Sequence, residues 1–117
     1  MSSRIPSLSL LVLRSASLEA VSDFYSAFGF DFRQEQHGSG PLHYAAEVGG
    51  LVLEIYPLKA GQTEADDSTM LGFEVESLSG LLMELEIKAE IKSSELGRFC
   101  SVKDPDGRTV RLTEATE

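Results

Sequence analysis

Twice along the chain the same order of patterns occurs: an apolar run of strand length, an amphipathic helix opened by serine, then three further strand-like segments. Equivalent points lie roughly sixty residues apart, a period that implies two copies of one supersecondary unit burying their apolar faces together. In the first copy, Leu8 to Leu13 is a continuous apolar run flanked by Pro6 and a serine cluster, which reads as a buried strand. Ser17 caps a helix in which Leu18, Val21, Phe24, Tyr25 and Phe28 share one stripe, with Glu19 in the first turn and Gly29 at the end. Phe30 to Arg33, Leu42 to Val48 and Leu51 to Tyr56 follow as strands, the last two joined by Gly49-Gly50 as a two-residue hairpin turn. In the second copy Thr69 to Val75 is a strand, and Ser77 opens a helix with Leu78, Leu81, Leu82 and Leu85 at helical spacing. Ala89 to Ile91 is then a short strand, and a two-stranded ribbon ends the chain. The expected modules are residues 7–57 and 69–115, joined by a polar connector over 58–68, within a single domain spanning 1–117.

The terminal ribbon turns at Asp104-Pro105-Asp106-Gly107, where proline sets one dihedral, aspartates bond nearby amides and glycine takes the left-handed position. Beyond it Val110 and Leu112 alternate with Thr109, Arg111 and Thr113, the period of a strand with one apolar and one polar face. If Lys103 pairs with Arg108, Cys100 lies opposite Arg111 and Arg98 opposite Thr113. Across Gly49-Gly50, Val48 pairs with Leu51, which sets Ala45 opposite Glu54 and His43 opposite Tyr56.

Composition excludes several functions. The net charge of -9, from ten basic and nineteen acidic residues, opposes nucleic acid, whose phosphates would be repelled. No apolar run approaches the roughly 20 residues that cross a bilayer, so no membrane partner is expected. Met1 to Pro6 lacks the charged, apolar, small-residue order of a signal peptide. A single cysteine, Cys100, fits a reducing compartment. The expected location is cytoplasmic.

Three segments in order, Ser17-Leu18-Glu19 leading to Phe24-Tyr25 and Gly29-Phe30, then Leu51-Val52-Leu53-Glu54-Ile55, then Asp104-Pro105-Asp106-Gly107, resemble the vicinal oxygen chelate superfamily. That superfamily includes glyoxalase I, bleomycin-resistance proteins and extradiol dioxygenases. The resemblance covers nearly the whole chain. It implies an α+β fold in which two βαβββ modules form a cup-shaped mixed sheet, and a homodimer. The family's enzymes hold a divalent metal with one side chain from the first and one from the last strand of each module. Those positions fall on Leu10, Glu54, Met70 and Arg111 here. Only Glu54 suits a divalent metal: leucine has no donor, a thioether suits hard ions poorly, and a guanidinium repels them. The resemblance thus implies a cup without its metal, and no cofactor or stoichiometric transition metal is expected.

The expected ligand-binding pocket is lined by Leu10, His43, Glu54, Tyr56, Met70, Arg98, Cys100, Arg111 and Thr113. No catalytic residue is assigned. Glu54 and Arg111 either neutralise each other or leave Arg111 to receive a ligand carboxylate or phosphate, which its planar fork matches. His43 reads as a surface or satisfied histidine, or as a general base, and His37 as a solvent-exposed loop residue. The leading function is metal-independent binding of a small molecule held in the sheet cup, with an anion as one option for the ligand. Two alternatives stay open: a metal-dependent lyase, isomerase or dioxygenase with displaced ligands, for instance Glu54 with His43, and a dimeric interaction module.

Overall fold

The two serine-capped helices form where the patterns place them, and each is anchored by its cap. A computed structural model describes residues 5–115; of the segment Met1 to Pro6 read above for a signal peptide, Met1 to Arg4 lie outside them. The first module comprises β1 (Leu10–Ser15), α1 (Leu18–Ser26), β2 (Arg33–Glu35), β3 (His43–Val48) and β4 (Leu51–Pro57). The second comprises β5 (Leu71–Val75), α2 (Leu78–Leu85), β6 (Lys92–Ser94), β7 (Gly97–Lys103) and β8 (Thr109–Glu114). Ser17 Oγ accepts from the Ala20 amide and Ser77 Oγ from the Gly80 amide, each satisfying a donor that the helix itself leaves free. A second cap reaches α2 from the far end of its module, where the Leu78 amide donates to Glu114 Oε2 at 3.0 Å. Among the described residues no helix is long and apolar enough to cross a membrane.

Each module closes its own four-stranded mixed sheet. The orders are β1-β4-β3-β2 and β5-β8-β7-β6, with the first pair parallel and the other two antiparallel in both. The repeat in pattern is thus a repeat in topology. One face of each sheet carries the core: Leu53 and Ile55 in the first, Val110 and Leu112 in the second, all fully buried. Burial of such a side chain contributes about 1.5–3 kcal/mol. The two cores are one, because Phe28, just past α1, sets its ring 4.9 Å from Phe73 of β5.

Four sequence expectations shift. Phe30 to Phe32 form no strand, and β2 begins only at Arg33. Leu8 to Leu13 is not buried on both sides: Leu10 and Val12 stay 52% and 38% exposed, because β1 is an edge strand covered by helix on one face only. Ala89 to Ile91 forms no strand; pairing with β7 begins at Lys92. The Gly49-Gly50 register is as expected, with Val48 opposite Leu51 and Ala45 opposite Glu54, but the terminal ribbon is displaced by one residue. Lys103 pairs with Thr109, Cys100 with Leu112 and Phe99 with Thr113. The corner holds three residues, Pro105 to Gly107, between Asp104 and Arg108. The Gly107 amide donates to Asp104 O and the Asp104 amide to Arg108 O, both at 2.9 Å. Gly107 has φ +92, the left-handed residue that a three-residue hairpin loop requires.

That corner also joins the modules. Asp104 Oδ1 accepts from the amides of Asp106 and Arg108, and Asp104 Oδ2 from Arg108 Nη1 at 3.2 Å and the Tyr25 hydroxyl at 2.8 Å. Arg108 Nη2 donates to Arg14 O at 2.6 Å, and the Ala16 amide donates to Asp106 Oδ1 at 3.3 Å. Arg108 is 1% exposed and Asp104 4%. Removing one member of such a buried pair strands the other charge, so Arg108→Ala is expected to lower unfolding free energy by about 3–5 kcal/mol in urea titration.

Burial, and then the bond to Asp104, hold the Tyr25 phenol well above its ordinary range. Above about pH 10 the unfolded chain releases this proton while the folded chain keeps it. Folded stability therefore falls as pH rises, by up to about 1.4 kcal/mol per pH unit from this group. Urea titrations from pH 9 upward should show that slope in the wild type and its loss in Tyr25→Phe.

Candidate functional site

Because each sheet packs its helix on one face, the other face of each is left open. Strand alternation decides which residues occupy it. On the first sheet the open face carries Leu10 and Val12 from β1, Glu54 and Tyr56 from β4, His43 and Ala45 from β3, and Arg33 and Glu35 from β2, as the registers require. On the second it carries Gly72 and Glu74 from β5, Arg111 and Thr113 from β8, and Phe99 and Ser101 from β7.

Of the nine expected pocket residues, six lie on these faces: Leu10, His43, Glu54 and Tyr56 on one sheet, Arg111 and Thr113 on the other. Met70, 59% exposed, immediately precedes β5 on the same side as Gly72. Arg98 and Cys100 do not belong to the set. The one-residue displacement of the ribbon turns both to the helix side, where Cys100 is 2% exposed in the core and burial pushes its thiol up. Arg98 Nη1 pairs with Glu114 Oε1 at 2.9 Å, on the carboxylate that caps α2. Phe99 and Ser101 take their places on the open face.

The expected neutralisation of Glu54 by Arg111 does not occur, because the two stand on different sheets. Arg111 lies over the Phe99 ring, 4.2 Å from its centroid, and among the described residues no carboxylate pairs with it. Glu54 instead approaches His43, with Oε2 3.9 Å from Nε2. His43 is neither a surface nor a satisfied histidine. It is 1% exposed, its ring stacks on Tyr56 at 4.2 Å and 6°, and Arg14 covers the other end of the column 4.9 Å from the Tyr56 centroid.

The four positions that the resemblance assigns to a metal therefore present one carboxylate, two apolar side chains and a guanidinium divided between two sheets, a set that does not fit a divalent ion. Two further groups stand near His43: Glu35, which the sequence reading did not single out, and His37, which it read as a solvent-exposed loop residue and which is exposed. Glu35 Oε1 lies 3.5 Å from His43 Nε2 and 3.4 Å from His37 Nε2. Their signal was Glu35-x-His37 followed by His43 across a Gly-rich turn, which places all three at one hairpin end.

Among the described residues the clefts include three of about 450, 600 and 320 Å³, and of the nine expected residues only Cys100 lines one of these three. Open-face residues line two of these clefts, Val12 the first and Phe99 with Ser101 the third.

No family model and no curated protein matches the sequence. Solved structures do match in shape. TnmS3, an antibiotic binding protein from Streptomyces sp. CB03234, superposes with a TM-score of 0.69 at 21% identity, covering 98% of this chain and 100% of its own. The glyoxalase family protein from Enterococcus faecalis gives 0.68 at 20% identity, covering 92% and 97%. Lactoylglutathione lyase from Agrobacterium tumefaciens gives 0.66 at 15% identity, covering 97% and 96%. With its two βαβββ modules and these neighbours, the chain has the fold of the vicinal oxygen chelate superfamily, shared by glyoxalase and antibiotic-binding proteins.

Proposed function

We propose that the chain binds a small anionic molecule on its open sheet faces, as a homodimer, without a metal at the four positions that the resemblance assigns to one. The observation that carries this reading is Arg111: a guanidinium on an open sheet face, held over Phe99 and not neutralised by any described carboxylate. Contact with the ring holds the guanidinium in place, and its fork matches a carboxylate or phosphate. Thr113 on the same strand and Ser101, opposite Arg111 on β7, add hydroxyl donors. A neighbour in fold, TnmS3, is an antibiotic binding protein, a precedent for small-molecule binding on this scaffold without assigning a ligand here.

The dimer is supported by shape and by exposed apolar surface. The Cα radius of gyration is 15.6 Å, against about 13 Å for a compact chain of this length. Leu10, Val12 and Met70 stand more than a third exposed around the open faces, and β1, β2, β5 and β6 are sheet edges. A second copy would cover both kinds of surface and turn open faces into an enclosed site.

Titration calorimetry with a panel of small carboxylates and phosphate esters tests the site. Arg111→Ala is expected to weaken the tightest of them by about 1.5–3 kcal/mol; equal affinities would place the anion elsewhere. In sedimentation at micromolar concentration the protein should run as a dimer, and a monomer would remove the enclosed site from the reading.

A further inference from the structure

The end of the β2–β3 hairpin carries a group of donors that neither those four positions nor the anion site uses. Glu35 closes β2, His43 opens β3 directly opposite it, and His37 stands on the loop between them. One carboxylate oxygen and one nitrogen from each histidine lie within 4.8 Å of one another. The Glu35 oxygen is 3.4 Å from His37 Nε2 and 3.5 Å from His43 Nε2. A tetrahedral ion with bonds of 2.0–2.1 Å holds neighbouring donors about 3.3–3.4 Å apart, so two of the three edges already have the required length. His37 is exposed and turns freely to set the third.

A second observation points the same way. His43 Nδ1 faces the Pro41 carbonyl at 3.2 Å. A carbonyl only accepts, so Nδ1 carries a proton, and in the neutral ring Nε2 presents its lone pair. That nitrogen is buried and has no hydrogen-bond partner, and it is aimed at the cluster. An imidazole oriented through Nδ1–H by a backbone carbonyl is the outer-partner arrangement of metal-bound histidine. Tyr56 holds the ring plane from one side. The loop is braced by its own bonds, Gln36 Nε2 to Gly40 O and the Gly40 amide to His37 O, both 2.9 Å.

We propose that Glu35, His37 and His43 form a binding site for a divalent transition-metal ion of the zinc class. Two imidazoles and one carboxylate suit a borderline ion and not calcium or magnesium, which require more oxygen donors. Three protein ligands leave a fourth position for water. Glu54, 3.9 Å from His43 Nε2, is outside the set of three. The site is therefore distinct from the four floor positions, reverses the expectation of a metal-free protein, and stands independently of the anion reading.

The test is calorimetric titration of zinc chloride alone into the untagged full chain after chelator dialysis. One equivalent per chain is expected, and cobalt(II) in its place should show the visible absorption of a four-coordinate ion. His37→Ala, an exposed position whose loss leaves the core intact, should weaken zinc by at least about 100-fold, more than is lost with an outer partner. Glu35→Gln should do the same, and Glu84→Gln on the exposed side of α2 should change nothing. No zinc bound at stoichiometric level, or wild-type affinity in His37→Ala, would overturn the proposal. So would loss of binding in Glu54→Ala with His37→Ala intact, because the metal would then sit on the side of the floor positions.

Discussion

The buried pair of Asp104 and Arg108 is the interaction on which the arrangement of the molecule depends. Both residues come from the corner of the last hairpin, yet their partners lie at the start of the chain: the Tyr25 hydroxyl on α1 and the Arg14 carbonyl on β1. A guanidinium and a carboxylate taken out of water are costly to bury unless nearly every donor and acceptor is matched. Here Asp104 accepts four hydrogen bonds, and Arg108 leaves only Nε unmatched. Because matching uses atoms of both modules, any rotation of one against the other would break several bonds at once. The pair thus selects one relative placement out of the many that apolar packing alone would tolerate.

That placement determines where function can reside. The apolar stripes of α1 and α2 and the inner faces of both sheets are consumed by a shared core, with Phe28 and Phe73, both partly buried, in edge contact against it. What remains outward are the alternate residues of eight short strands. Polar and charged groups on those faces face no helix, so they keep their donors for something else. Arg111 and the hairpin cluster illustrate two outcomes of the same geometry. On the second sheet a cation rests on an aromatic ring, unpaired with any described carboxylate, and on the first a histidine is buried by Tyr56 and left with a bare nitrogen.

The likeness in fold to glyoxalase and antibiotic-binding proteins makes the contrast in side chains more informative. Where the scaffold offers four floor positions, this chain presents Leu10, Glu54, Met70 and Arg111, so chemistry at the floor would need another source of charge. The donors that do converge sit one hairpin away, on β2 and β3. A fold of this kind carries several pairs of adjacent strand ends, and two residues opposite one another in an antiparallel register are enough to seed a site.

How much of this was legible in the sequence follows from the range of each interaction. Period and capping are local: the stripe from Leu18 to Phe28, the serine caps and the alternation around Leu53 and Leu112 identified helices, strands and the doubled module. The Gly49-Gly50 turn set its register correctly, because two successive glycines at positive φ admit one hairpin geometry. The Asp104 to Gly107 turn did not, because its loop length depends on Arg108 turning inward to a partner on another strand, and that misplaced Cys100 and Arg98. Glu35 was passed over, and His37 was read only as an exposed loop residue, because a three-residue strand and a loop carry no periodicity. Their meeting with His43 is created by pairing across the hairpin. Sequence by itself determined the elements and their order, since those rest on contacts within a few residues. Tertiary structure alone decided which face each side chain joins and which charges meet, since those rest on contacts between residues as far apart as Arg14 and Arg108.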